Sequence, residues 1–211
     1  MADRQRSNHI AALRPDLILA FSDLQADIAA ELARRGFNIV LFNQRSVAEI
    51  LQMIRMLGGL IGRADAAEAL AATLEERLDE IRGRASRFSA RPRVYFEEWD
   101  DPLISGIQWV EELIEIAGGD PIFPELRHAK LAKDRIVQSD EVVRRRPDVI
   151  IASWCGKAVN KQKIASRIGW EALAAVRAGR IYEVKSALIL QPGPAALTEG
   201  IRQLHEILAA S

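Results

Sequence analysis

An eight-residue segment occurs twice in this chain, and the recurrence constrains the fold more than any other feature. Leu13-Arg-Pro-Asp-Leu-Ile-Leu-Ala20 is matched almost position for position by Arg145-Arg-Pro-Asp-Val-Ile-Ile-Ala152. In each copy the proline fixes its own φ and disfavours helix at the residue before it, so a preceding helix should end there. The apolar run that follows is too short for a helix and reads as a strand buried on both faces, as in parallel sheets. A helical pattern, a glycine (Gly36, Gly179) and a further strand then follow each copy. Two α/β half-units of like topology are therefore expected.

The residues between the copies extend that reading. Leu24, Ile28 and Leu32 recur four apart, as on a helix, and Asn38–Phe42 is a second strand. Ser46-Val-Ala-Glu49 is a capping box opening a helix through Ile50, Ile54 and Leu57 to the Gly58-Gly59 pair. Ala64 to Arg87 contains no proline, and Leu70, Leu74, Leu78 and Ile81 form its apolar stripe. Some 24 residues at about 1.5 Å each would span roughly 36 Å, which suits either a long surface helix or a rod between two lobes. Beyond it the pattern predicts strands at 93–96, 147–153 and 181–184, and helices at 107–117, 139–145, 170–178 and 195–210. The expected fold class is α/β, two lobes with mainly parallel sheets joined by one long helix. The divisions fall at 1–63 (N-terminal lobe), 64–88 (connecting helix) and 89–211 (C-terminal lobe).

Composition removes several function classes. Lys+Arg and Asp+Glu both number 29, so the formal net charge is zero, and the basic surplus of a nucleic-acid binder is missing. One cysteine, Cys155, excludes an internal disulfide, and three separated histidines have no metal-site spacing. The apolar runs are too short for a transmembrane segment. No apolar stretch follows the basic residues near Met1, so the sequence as given shows no secretory signal.

In open parallel sheets ligands bind beyond the carboxyl ends of the strands. Those ends carry Phe21-Ser22-Asp23, Phe42-Asn43-Gln44-Arg45, Glu97-Glu98-Trp99-Asp100-Asp101, Ser153-Trp154-Cys155-Gly156-Lys157 and, after the last strand, Leu190-Gln191. Phe21, Phe42, Trp99 and Trp154 could line an aromatic cleft for a large organic ligand, whereas Trp109 and Trp170 read as core. Cys155 reads as a buried, inert thiol. The carboxylates at 97, 98, 100 and 101 read as a solvated rim, because neighbours on a strand face opposite ways. No catalytic or metal site is expected.

Taken together, "LRPDLILAFSDLQADIAAEL", the long helix, "RPRVYFEEWDDPLISGIQWVEELIEIAGGDPIF", "RRPDVIIASWCGK" and "GWEALAAVRAGRIYEVKS" resemble the substrate-binding proteins of vitamin B12 and iron-siderophore ABC importers, over about residues 9–211. The likeness is greatest to the cobalamin-binding members. It implies two lobes on one long helix, with the ligand in the cleft between them. It implies corrin contacts from Phe21, Trp99 and Trp154, and amide contacts from Asn43, Gln44, Arg45, Ser105 and Gln191. Cobalamin would be a transported ligand and not a cofactor, and the setting periplasmic. An ABC permease would be met through an acidic residue on each lobe: Asp140 or Glu141 on the second, but uncharged Asn8 on the first. The family begins with a further strand, helix and strand that this sequence does not show, so the first lobe is expected to be incomplete. A ferric-siderophore or haem ligand, or a cytoplasmic corrinoid-handling enzyme, stay as alternative readings.

Overall fold

Pro15 has the effect expected of it. Helix α1 (Ala2–Ala12) ends before it, Arg14 turns the chain with φ 47, and strand β1 (Ile18–Phe21) follows. The computed structural model describes residues 2–211, with side chains from Ser7 onward. A 3-10 turn, whose Ser22 hydroxyl accepts from the Leu24 N–H, leads into α2 (Ala26–Arg34), and Gly36 (φ 87) returns the chain to β2 (Ile39–Phe42). β1 and β2 pair in parallel, Ile18 opposite Ile39 through Phe21 opposite Phe42. These elements lie in the first of two compact units, residues 1–44; the second is 45–211. Neither strand of the first unit contains a fully buried residue, and Leu19 is 48% exposed.

The second unit starts at the predicted capping box. The Ser46 hydroxyl accepts from the Glu49 N–H while the Glu49 carboxylate accepts from the Ser46 N–H, opening α3 (Val47–Leu60). α3 folds back on α4 (Ala64–Ala85), and a side chain at Gly58 would collide with Ala67 at that bend. Arg55 ties the hairpin to Glu68 (2.8 Å) and Glu75 (3.0 Å). The buried stripe of α4 is Ala67, Ala71, Leu74, Leu78, Ile81 and Ala85, alternating three and four apart. Leu70 is 42% exposed, a correction to the stripe expected from leucines alone. At about 1.5 Å per residue the helix is roughly 33 Å long.

Then come β3 (Arg93–Asp100), β4 (Leu103–Ser105), α5 (Gln108–Ala117), β5 (Asp120–Pro121), α6 (Ser139–Arg145), β6 (Val149–Ala152), α7 (Lys161–Ala165), α8 (Ala174–Arg177), β7 (Ile181–Glu183), α9 (Ser186–Ile189) and α10 (Ile201–Ala209). The sheet runs β4-β3-β6-β7, with β5 also on β3; only β4 is antiparallel. β6, the second copy of the repeat, is central and its four residues are fully buried. Alternation puts Tyr95, Ile150 and Ala152 on one face, packed with Phe123, Val142, Ile164 and Trp170. Val94 faces the other way, toward Ile114 of α5 and Leu208 of α10. The sheet is thus covered on both sides, which is what an all-apolar strand such as β6 requires. Among the described residues, no helix is long and apolar enough to cross a membrane.

Candidate functional site

β3 and β6 run side by side and in register, Glu97 opposite Ala152, so the residues following β6 lie beside the second half of β3. Trp99 and Trp154 are thereby brought to one place. Lys157 Nζ sits 4.1 Å from the centre of the Trp99 ring and 4.9 Å from that of Trp154, and Lys163 Nζ lies 5.9 Å from Trp154. A cation over an indole face contributes about 0.5–2 kcal/mol, more as water is removed. Trp154 is buried, and its indole N–H donates to Glu97 Oε1 at 3.0 Å. Trp99 is half-buried and donates to the Asp101 carbonyl.

Of the four carboxylates only Asp101 is exposed as expected; the other three are not a solvated rim. Glu97 and Asp100 are both buried; Arg167 grips Glu97 (Nη1–Oε2 2.5 Å, Nη2–Oε1 3.0 Å), and Lys157 and Lys163 (2.6 Å) close on Asp100. The strand register shifts between Glu97 and Trp99, breaking strict alternation, so that Glu97 and Asp100 both meet cations from the segment 157–167. Burial pushes the Glu97 carboxyl above its ordinary range, against the pull of Arg167. Burial acts in the same direction on Asp100, but the hydrogen bonds from Lys157 and Lys163 outweigh it and hold that group below the usual value.

A second layer supports this wall. Arg135, 1% exposed, pairs with Glu98 (2.6 and 3.0 Å) and donates to the Ser105 carbonyl, while the Ser105 hydroxyl donates to the Arg135 carbonyl (3.3 Å). Ser105 is therefore inside the protein, fixing Arg135. Glu111 on α5, also buried, accepts from the Gly106 N–H; burial raises its pKa to about 8, with Arg127 and Arg135 opposing. The Ser153 hydroxyl is buried at the end of β6 and has no hydrogen-bond partner among the described residues.

The remaining expected residues are distributed as follows. Phe21 and Phe42 are cross-strand partners at the ends of β1 and β2, both half-buried. Asn43 is exposed, Gln44 and Arg45 are buried, and Gln191 is exposed in a turn. Asp140 is exposed in the first turn of α6, whereas Glu141 is held by Arg144 and Arg145. Asn8 accepts from Arg35 (3.1 Å). Trp109 and Trp170 are core residues, as expected. Cys155 is exposed, which corrects the expectation of a buried thiol: Gly156 (φ 76) turns the loop outward there. Lys163, Arg167 and Arg135 were not anticipated as part of the site, whereas Lys157 closes a strand-end stretch already named from sequence.

What this arrangement leaves partly exposed is the Trp99 ring, on a frame whose buried carboxylates are matched by cations. Trp154 is 3% exposed and lies in the core, a correction to its expected place lining an open cleft. The carboxylates are occupied by cations and not poised in pairs over a reacting atom.

The chain belongs to the periplasmic binding protein family, whose model matches residues 8–188. It is 28% identical to an uncharacterized ABC transporter substrate-binding lipoprotein, YvrC, of Bacillus subtilis, over 93% of this chain and 63% of that protein. It is 25% identical to a cobalamin-binding protein of Halobacterium salinarum over 88% of this chain and 51% of the other. The chain thus spans about half to two thirds of the length of these relatives. The fold is shared with an ABC transporter substrate-binding protein from Listeria monocytogenes (TM-score 0.83, 18% identity, 97% of this chain, 81% of the other). It is also shared with the periplasmic heme-binding protein RhuT from Roseiflexus (TM-score 0.78, 21% identity, 96% and 80%).

Proposed function

We propose that this protein is the substrate-binding component of an ABC-type uptake system and that its ligand is cobalamin or a related corrinoid. The observation that carries the reading is the strand-end cluster at the carboxyl ends of β3 and β6, where half-buried Trp99 packs on the core cluster containing Trp154 and Lys157 lies over both rings. Phe21 and Phe42 are the equivalent strand-end aromatics of the first unit. Family membership and the relatives' names support binding in place of catalysis, and work outside the cytoplasm. Haem needs an axial side chain from its protein. Cys155, exposed and next to Trp154 in sequence, is such a group, so haem is the second reading and the titration below separates the two. Asp140, with its carboxylate free of ion pairs among the described residues, is the acidic group available for docking on a permease.

Titration with cyanocobalamin, hemin and a ferric hydroxamate, read by tryptophan quenching and calorimetry, tests the ligand. Saturable cyanocobalamin binding, weakened about tenfold or more in Trp99→Ala, is the expected result. Preference for hemin or the hydroxamate would reassign the ligand class. Failure of all three, or indifference to Trp99→Ala, would sink the site.

A further inference from the structure

At the opposite end of the same sheet, where the strands begin, the second unit has another concavity. A hollow of about 680 Å³ is lined by Arg93, Arg144, Arg146 and Arg177, with Asp148 among them and Leu173 as part of an apolar floor. Arg93 starts β3, Arg146 caps the C-terminus of α6 and Arg177 ends α8, so three separate segments deliver cations to one place. Arg144 is paired with Glu141, and Asp148 Oδ2 accepts the backbone N–H of Arg93 at 2.9 Å. Arg93, Arg146 and Arg177 have no carboxylate within ion-pair distance among the described residues, whereas Arg55, Arg127, Arg145 and Arg202 each hold one. In a chain of zero net charge this local excess is not a by-product of overall basicity.

We propose that this hollow binds a phosphate-type oxyanion, either free or as the headgroup of an anionic lipid. Guanidinium groups match phosphate oxygens with directed N–H pairs. A phosphate presents oxygens in several directions and can meet cations from three sides, whereas a carboxylate offers two oxygens in one plane. The hollow is larger than a bare phosphate fills, and its apolar floor suits the organic part of a phosphate ester. The site is separate from the aromatic cluster and does not rest on the corrinoid reading.

The experiment titrates the full chain with inorganic phosphate and pyrophosphate by calorimetry, and measures co-sedimentation with phosphatidylglycerol and phosphatidylcholine vesicles. Saturable pyrophosphate binding is expected, weakened tenfold or more in Arg146→Asn/Arg177→Gln. It should change less than twofold in Arg77→Gln/Arg84→Gln, which removes the same charge from the exposed side of α4. Arg177→Gln alone, at an exposed position, is the fallback should thermal unfolding show the double variant misfolded, with about threefold weakening expected. Arginine-dependent pelleting with phosphatidylglycerol but not phosphatidylcholine assigns the headgroup as the source; phosphate binding without pelleting assigns the free ion. Absence of saturable binding to every probe, or equal losses in the two double variants, overturns the proposal.

Discussion

The two copies of the repeated segment share a backbone but not an environment. Arg14 and Arg146 both follow a helix, both stand before Pro-Asp, and both take the left-handed conformation, at φ 47 and φ 48. Gly36 and Gly179, at φ 87 and φ 68, turn the chain into the second strand of each copy. Yet β6 is flanked by β3 and β7 and fully buried, while β1, among the described residues, pairs with β2 alone and leaves Leu19 half in water. Local sequence fixes the turn; the number of neighbouring strands decides what the apolar residues contribute. An isolated two-stranded sheet is marginal in water, so the same hydrophobic code stabilises far more in the second copy.

The sharpest way to break that comparison is to truncate matched strand positions. Ile150→Ala, in β6, should cost about 2–5 kcal/mol in urea unfolding followed by tryptophan fluorescence, since all four tryptophans lie in residues 45–211. Leu19→Ala, in β1, should cost less than about 1 kcal/mol by circular dichroism. Equal losses would mean the strands are equivalently supported.

The two units also differ in buried charge: among the described residues Arg45, Glu97, Asp100, Glu111 and Arg135 all lie in the second. Glu111, with its folded pKa raised to about 8, binds a proton in the folded state that it lacks when unfolded between roughly pH 4.5 and 8. Stability from this group is therefore present at low pH and falls as pH rises through that window. Glu111→Gln should change little at pH 5 and stabilise by roughly 2–4 kcal/mol near pH 8.5. An unaltered slope of stability against pH in this variant would remove Glu111 from the account.

The smallest effect tests what the copies share. A non-glycine residue in the left-handed region costs about 1–2 kcal/mol, partly offset for glycine by its unfolded-state entropy. Arg14→Gly and Arg146→Gly should each stabilise by about 0.5–1 kcal/mol and by nearly equal amounts, with Arg→Ala giving no gain. A gain at one position only would show that the turns are set by their surroundings and not by the shared sequence.

The repeat, the capping box at Ser46 and the long α4 were legible because each is encoded within a few residues or one periodicity. β4, α7 and α9 were not, being three to five residues long and set by tertiary contacts. That Trp99 and Trp154 meet beyond β3 and β6 was legible from their strand-end positions; the ion pairs around them were not. Arg167 lies 70 residues from Glu97, and Lys163 lies 63 from Asp100, so no local pattern announces either pair. The register shift in β3 likewise defeated the alternation rule that made its carboxylates look solvated.

Cys155 gives that site a practical property. It is the one thiol in the chain, it is exposed, and it adjoins Trp154 in sequence. A maleimide fluorophore placed there would need no engineered residue. Its emission would report movement of the 154–157 loop in a chain of natural sequence.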